Sequence, residues 1–124
     1  MLVPIVETER LILRGHRLAD FADIVAMWAD PEVTRFIGGT PSTREESWTR
    51  LLRYVGHWEL MGFGFWSVRE RATDRHVGDV GIGEFQREIV PVITDPELGW
   101  SLASWAHGKE IGRASCRERV LQVV

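Results

Sequence analysis

The residues best suited to chemistry lie in one short stretch, Pro96 to Ala103, which reads PELGWSLA. As a strand its side chains alternate, so Leu98, Trp100 and Leu102 fall on one face and Glu97, Gly99, Ser101 and Ala103 on the other. One face is bulky and the other nearly bare. A surface of Gly, Ser and Ala lets a ligand approach the backbone, and Glu97 could accept a proton beside it. The plainer alternative is an edge strand packed on a neighbouring helix, with Glu97 merely solvated as most carboxylates are. Spacing alone leaves both open.

Directly after this strand comes WAHGKEIGRA, Trp105 to Ala114. A glycine-bearing turn between a strand and a helix offers free backbone N–H groups to an anion, most often a phosphate. Gly108 and Gly112 fit neither G-x-x-x-x-G-K-[ST] nor G-x-G-x-x-G, so a nucleoside-triphosphate site and a dinucleotide site are unsupported. His16, His57, His76 and His107 stand far apart without metal spacing and there is no cysteine pair, which argues against a metal. Cys116 has no second cysteine to pair with, so a reducing cytoplasm is the expected compartment. Asp20, Asp23 and Asp30 read as helix-face and terminal charges. Trp28, Trp48 and Trp58 read as core rather than an aromatic cage.

The elements that must position these residues follow from periodicity. Arg10 to Gly15, RLILRG, alternates as a short strand. From Leu18 the period changes: Leu18, Phe21, Ile24, Val25 and Trp28 recur at helical spacing until Asp30-Pro31 stops them. Phe36 to Pro41, FIGGTP, is a loop. Ser42 and Thr43 are each followed three residues later by Glu45 and Glu46, two overlapping capping boxes that open a second helix. Its apolar stripe reads Trp48, Leu51, Leu52, Val55 and Trp58, and Gly62 closes it. Three strand-like segments follow: GFGFWSVRE, HVGDVGIGEF and PELGWSLA. The order strand, helix, helix, strand, strand, strand predicts an α+β fold or a mixed sheet with its helices segregated early.

Composition narrows the partners. A chain of 124 residues that is 44% hydrophobic and 27% charged suits one globular domain rather than disorder. No run approaches the ~18 apolar residues of a membrane span, and MLVPIVETERL lacks the regions of a signal peptide. The net charge of −3 argues against nucleic acid as a partner, since phosphate backbones call for a basic excess.

Taken together and in order, ETERLILRGHRLADFADIVAMWADPEVTRFIGG, PSTREESW, GFGFWSV, HVGDVGIGEF and ELGWSLASWAHGK, spanning residues 7 to 109, resemble the opening of a GNAT-type N-acetyltransferase of the ribosomal-protein-acetylating RimJ/RimL-like group. The resemblance implies a mixed, twisted sheet begun by a strand, two helices and an antiparallel meander. It implies transfer of an acetyl group from acetyl-CoA to a primary amine such as a protein N-terminus, an amino acid or a small amine, without a metal. By resemblance, Glu97 is the general base. The strand of Leu98, Trp100, Ser101, Leu102 and Ala103 holds the pantetheine arm through its backbone, and the turn of His107, Gly108, Lys109 and Gly112 receives the pyrophosphate. Phe36, Ile37 and Gly38 lie in the loop near the acceptor.

That turn departs from the family pattern. The family reads Gln or Arg, two residues, Gly, one residue, then Gly or Ala, and the natural register puts Glu110 where the central Gly belongs. A carboxylate there opposes a pyrophosphate by like charge and by bulk. A register beginning at Lys109 restores Gly112 and Ala114 but lengthens the turn. The following EIGRASCRERV resembles translated vector or adaptor sequence, so the expected division is residues 1–109 as the N-terminal part of the acetyltransferase domain and 110–124 as a divergent or non-native tail. The alternative is the family's next helix in divergent form, with Ile111, Ala114, Val120 and Val124 loosely spaced. A shortened chain would expose sheet surface and self-associate as an inactive homo-oligomer, the competitor to the enzyme reading.

Overall fold

A computed structural model describes residues 2–35, 37, 39–86 and 97–106. In chain order these form β1 (Val6–Glu7), β2 (Leu11–Arg14), a 3-10 turn (Leu18–Asp20), α1 (Phe21–Ala29), α2 (Pro31–Thr34), α3 (Arg44–Met61), β3 (Phe65–Glu70), β4 (His76–Gly83), β5 (Glu97–Leu102) and a final 3-10 turn (Ser104–Ala106). The five strands make one sheet in the order β1-β2-β3-β4-β5, and every neighbouring pair is antiparallel. The fold is the α+β arrangement expected, with the helices inserted between β2 and β3. No parallel pair occurs among the described residues.

Local chemistry explains the helix limits. Asp30 ends α1 and caps α2, its carboxylate accepting from the Glu32 N–H at 2.9 Å while Pro31 supplies the pre-set first turn. Of the two overlapping capping boxes, the structure uses Thr43 with Glu46: the hydroxyl accepts from Glu46 N–H at 3.2 Å, and the Glu46 carboxylate accepts from Thr43 N–H at 2.8 Å. Gly62 ends α3 in the left-handed region at φ 77°, its N–H bonded to the Trp58 carbonyl. The buried face of α3 is Ser47, Leu51, Tyr54 and Trp58, so the expected stripe is rotated. Trp48, Leu52 and Val55 are exposed, because the sheet receives the aromatic ring of Tyr54 instead. Trp28 and Trp58 are core as expected, whereas Trp48 lies on the surface, edge-on to Phe21.

Register sorts the sheet into two unlike faces. Leu13 pairs with Val68, Trp66 with Val80 and Gly78 with Leu102, which puts these side chains with Leu11 on one face. They form an apolar core with Val77, Trp58 and Ala106. At Gly78 any Cβ would run into the Ser101 carbonyl of β5, so glycine is what lets these two strands close.

The other face carries Arg14, Ser67, Arg69, Asp79 and Ser101, all buried. Arg14 binds Asp20 with both guanidinium nitrogens, at 2.9 and 2.8 Å, and Arg69 reaches Asp23 at 2.9 Å. Asp20 is thus a buried ion-pair partner and not a solvated helix-end charge, and Asp23 ties α1 to β3. Burial works against the Asp20 carboxyl, but the Arg14 hydrogen bond and the Arg17 N–H outweigh it and hold its pKa below the ordinary value. A second apolar cluster, Ile24, Met27, Trp28, Val33 and Leu51, joins the helices to one another above this polar layer.

Candidate active site

A cleft of about 470 Å³ opens where β5, the start of β3, the N-terminal half of α3 and the loop before it meet. Glu97, Leu98, Gly99, Trp100 and Ser101 contribute its β5 wall, so the stretch singled out by alternation does border a cavity. Glu97 begins β5 opposite Gly83 and is half-buried. The bare face is partly filled from across the sheet, since a Cβ at Gly99 would stand 3.1 Å from the Phe65 ring. Leu98 and Trp100 are each 42% exposed, an unusual degree for such side chains in a strand.

The remaining expected site residues fall in three groups. Ser101 is buried, Leu102 belongs to the apolar core, and Ala103 packs against the helical cluster. Ile37 lines the cleft. Phe36, Gly38, His107, Gly108, Lys109 and Gly112 lie outside the described residues, as does the division at residue 110.

Several cleft residues were not anticipated. Tyr54 stacks on Phe65, ring centres 5.2 Å apart, and on the other side against His16 at 4.5 Å. Burial, and then the negative charge of Asp79, push the Tyr54 phenol pKa well up, so it stays protonated. Arg50 lies flat over the Trp28 ring at 3.7 Å and reaches Ser42 Oγ at 3.4 Å. Arg53, one turn on, sits 5.3 Å from the Phe85 ring. Heptad-style counting from Leu51 and Trp58 would have found Tyr54; nothing local marks the arginines.

Behind the cleft floor two of the histidines that stand far apart in sequence, His16 and His76, converge. His16 Nε2 and His76 Nε2 both contact one oxygen of the buried Asp79, at 2.7 and 3.2 Å. Burial alone would raise the Asp79 carboxyl, but the two histidines overcome it and hold the pKa far below the ordinary carboxylate range. Burial likewise opposes charge on His76, and the Asp79 hydrogen bond wins, leaving its pKa raised. The second Asp79 oxygen, His16 Nδ1 and Ser67 Oγ are buried without hydrogen-bond partners. Even so, among the described residues no group of three or more His, Cys, Asp or Glu is arranged to hold a metal ion. No helix among them is long and apolar enough to cross a membrane.

A meander with three α-helices inserted after its second strand, and a cleft beside the last described strand, define an acyltransferase-like domain. The chain belongs to the acetyltransferase (GNAT) domain family, whose sequence model matches residues 10–123. An N-acetyltransferase named p20 from Bacillus licheniformis, itself uncharacterized, is 30% identical over 82 residues. That alignment takes in 65% of this chain and 46% of the relative, so the chain spans about half the length of the curated protein it matches. Among solved structures, a protein from Bordetella pertussis assigned to the GnaT acetyltransferase family superposes with a TM-score of 0.81 at 24% identity, over 98% of this chain and 72% of that one. An acetyltransferase from Agrobacterium tumefaciens follows at 0.75 and 24%, over 99% and 70%. The ribosomal-protein-S5-alanine acetyltransferase of Vibrio fischeri superposes at 0.56 and 20%, over 98% and 64%. At these identities the likeness is one of fold.

Proposed function

We propose that this chain carries out acetyl transfer from acetyl-CoA to a primary amine in the cytoplasm, with Glu97 as general base. The observation that carries the reading is the placement of β5: the strand from Glu97 to Ser101 borders the cleft, with the carboxylate at its start. The residues present suit the coenzyme. Exposed Leu98 and Trp100 offer an apolar ledge, and the chain's membership of the GNAT family supplies the precedent for pantetheine along this strand.

In this reading Glu97 takes a proton from the substrate ammonium, directly or through one water, and frees the nitrogen lone pair. Acetyl-CoA supplies the thioester: the C–N bond forms, the C–S bond breaks, and the leaving sulfur is protonated as the coenzyme thiol. Tyr54 and Phe65, stacked at the cleft floor, hold the acceptor side rigid and apolar. No side chain needs to carry the acetyl group. We place the chain with the RimJ/RimL-like acetyltransferases on the ordered motifs of residues 7 to 109.

The test is Glu97→Gln, assayed by thiol release from acetyl-CoA with a panel of amines. A loss of about 100-fold in kcat, recovered in part as pH rises and the amine deprotonates unaided, is expected. An unchanged kcat and pH profile would remove Glu97 from the mechanism.

A further inference from the structure

Four arginines of this fold meet opposite surroundings. Arg14 and Arg69 are buried and neutralised, by Asp20 and by Asp23. Arg50 and Arg53 line the cleft, and neither has an ion-pair partner among the described residues, where Glu97 is the sole acidic group of the lining. The usual helix partner of Arg50 would be Glu46, four residues back. That carboxylate is committed to the Thr43 N–H at 2.8 Å in the capping box and forms no ion pair with Arg50. Arg50 is left half-buried, one flat face on Trp28 at 3.7 Å and a single 3.4 Å bond to Ser42 Oγ. Stacking of this kind fixes the guanidinium plane and leaves its N–H edge free for a planar anion. Burial depresses the pKa of Arg50, with like charge from Arg53 adding to it, so the bare chain holds this cation at a cost. Two like charges three residues apart on one helix face are unfavourable until something negative joins them.

We propose that the cleft selects an acceptor amine that also bears a carboxylate, bound by Arg50 with support from Arg53. Glu97, on the β5 wall, serves the ammonium end, and the rings of Tyr54, Phe65 and Phe85 line the space for an apolar body. The substrate class is therefore an amino acid with an apolar side chain. This rests on the acetyltransferase reading for its chemistry, but the anion site is defined by this chain's own residues.

The experiment titrates the full chain with L-phenylalanine and with L-phenylalaninamide at about pH 6, where both amines are protonated, following intrinsic tryptophan fluorescence. Trp28 under Arg50 and Trp100 in the cleft lining are the two of the six tryptophans that report on it. The expected result is binding of the free carboxylate about tenfold tighter than the amide, because the amide leaves the cations unpaired. Arg50→Gln should abolish the preference without weakening the amide, Arg50→Lys should restore part of it, and Arg53→Gln, at an exposed position, should reduce it by about threefold. Equal binding of the two ligands, or an Arg50→Gln chain that loses both alike, overturns the proposal. So does an Arg50→Gln or Arg53→Gln chain that loses acetyl-CoA affinity while keeping the carboxylate preference, since the cations would then serve the coenzyme. If the preference holds but acetyl-CoA never binds, the anion site stands and the transferase reading falls. If acetyl-CoA turns over with amines but phenylalanine shows no preference, the reverse is true.

Discussion

The two faces of the sheet solve burial in opposite ways. One face is hydrocarbon, with Leu11, Leu13 and Val68 fully enclosed, and its stability follows from area removed from water. The other buries Arg14, Ser67, Arg69, Asp79 and Ser101 under the helices, and holds the charged three, Arg14, Arg69 and Asp79, through directed bonds to Asp20, Asp23, His16 and His76. The cleft opens on the second face. A polar layer fixes side-chain direction more tightly than oil does, and the ring stack from His16 through Tyr54 to Phe65 carries that order to the cleft floor.

The sharpest way to break this comparison is to remove one residue from each face. Asp79→Ala leaves two buried histidines facing an empty place and should cost about 3–5 kcal/mol in urea melts. Leu13→Ala should cost about 2–5 kcal/mol by cavity formation, yet leave ligand binding in the cleft unchanged. If Asp79→Ala is benign, or Leu13→Ala disturbs the cleft as much, the two faces are not distinct in role.

The pH dependence of stability sharpens the same contrast, because only the polar face titrates. Asp79 and Asp20 are held below their unfolded value of about 3.9, so their contribution is present above that pH and is lost as pH falls through the lower folded values. His76 is raised above about 6.5, so its contribution is full below that pH and is lost as pH rises through the folded value. Urea midpoints should therefore peak between about pH 4 and the mid-6s, and Asp79→Asn should flatten both limbs. A profile unchanged by that substitution would contradict the assignment. Smallest of all, Thr43→Ala should cost about 1 kcal/mol through the lost cap.

What could be read from the sequence was local. Alternation in ELGWSLA placed Glu97 and Ser101 on one side of a strand that does border the cleft, and S-T-R-E-E marked the start of α3 to within a residue. What could not be read joins residues distant in the chain. His16, just after β2, meets Asp79 of β4 only because the sheet brings the two strands within reach, and Asp23 of α1 finds Arg69 of β3 only when the helix packs on the sheet. The face of α3 was misjudged for a related reason: Leu52 and Val55 are apolar, but Tyr54 has two rings to stack on and takes the inward position.

The central claim is that the cleft beside β5 takes acetyl-CoA, and isothermal titration of this chain with the coenzyme tests it most directly. The account predicts saturable binding of one coenzyme per chain at micromolar concentrations, retained in Glu97→Gln. No heat of binding with the coenzyme at millimolar concentration would contradict it.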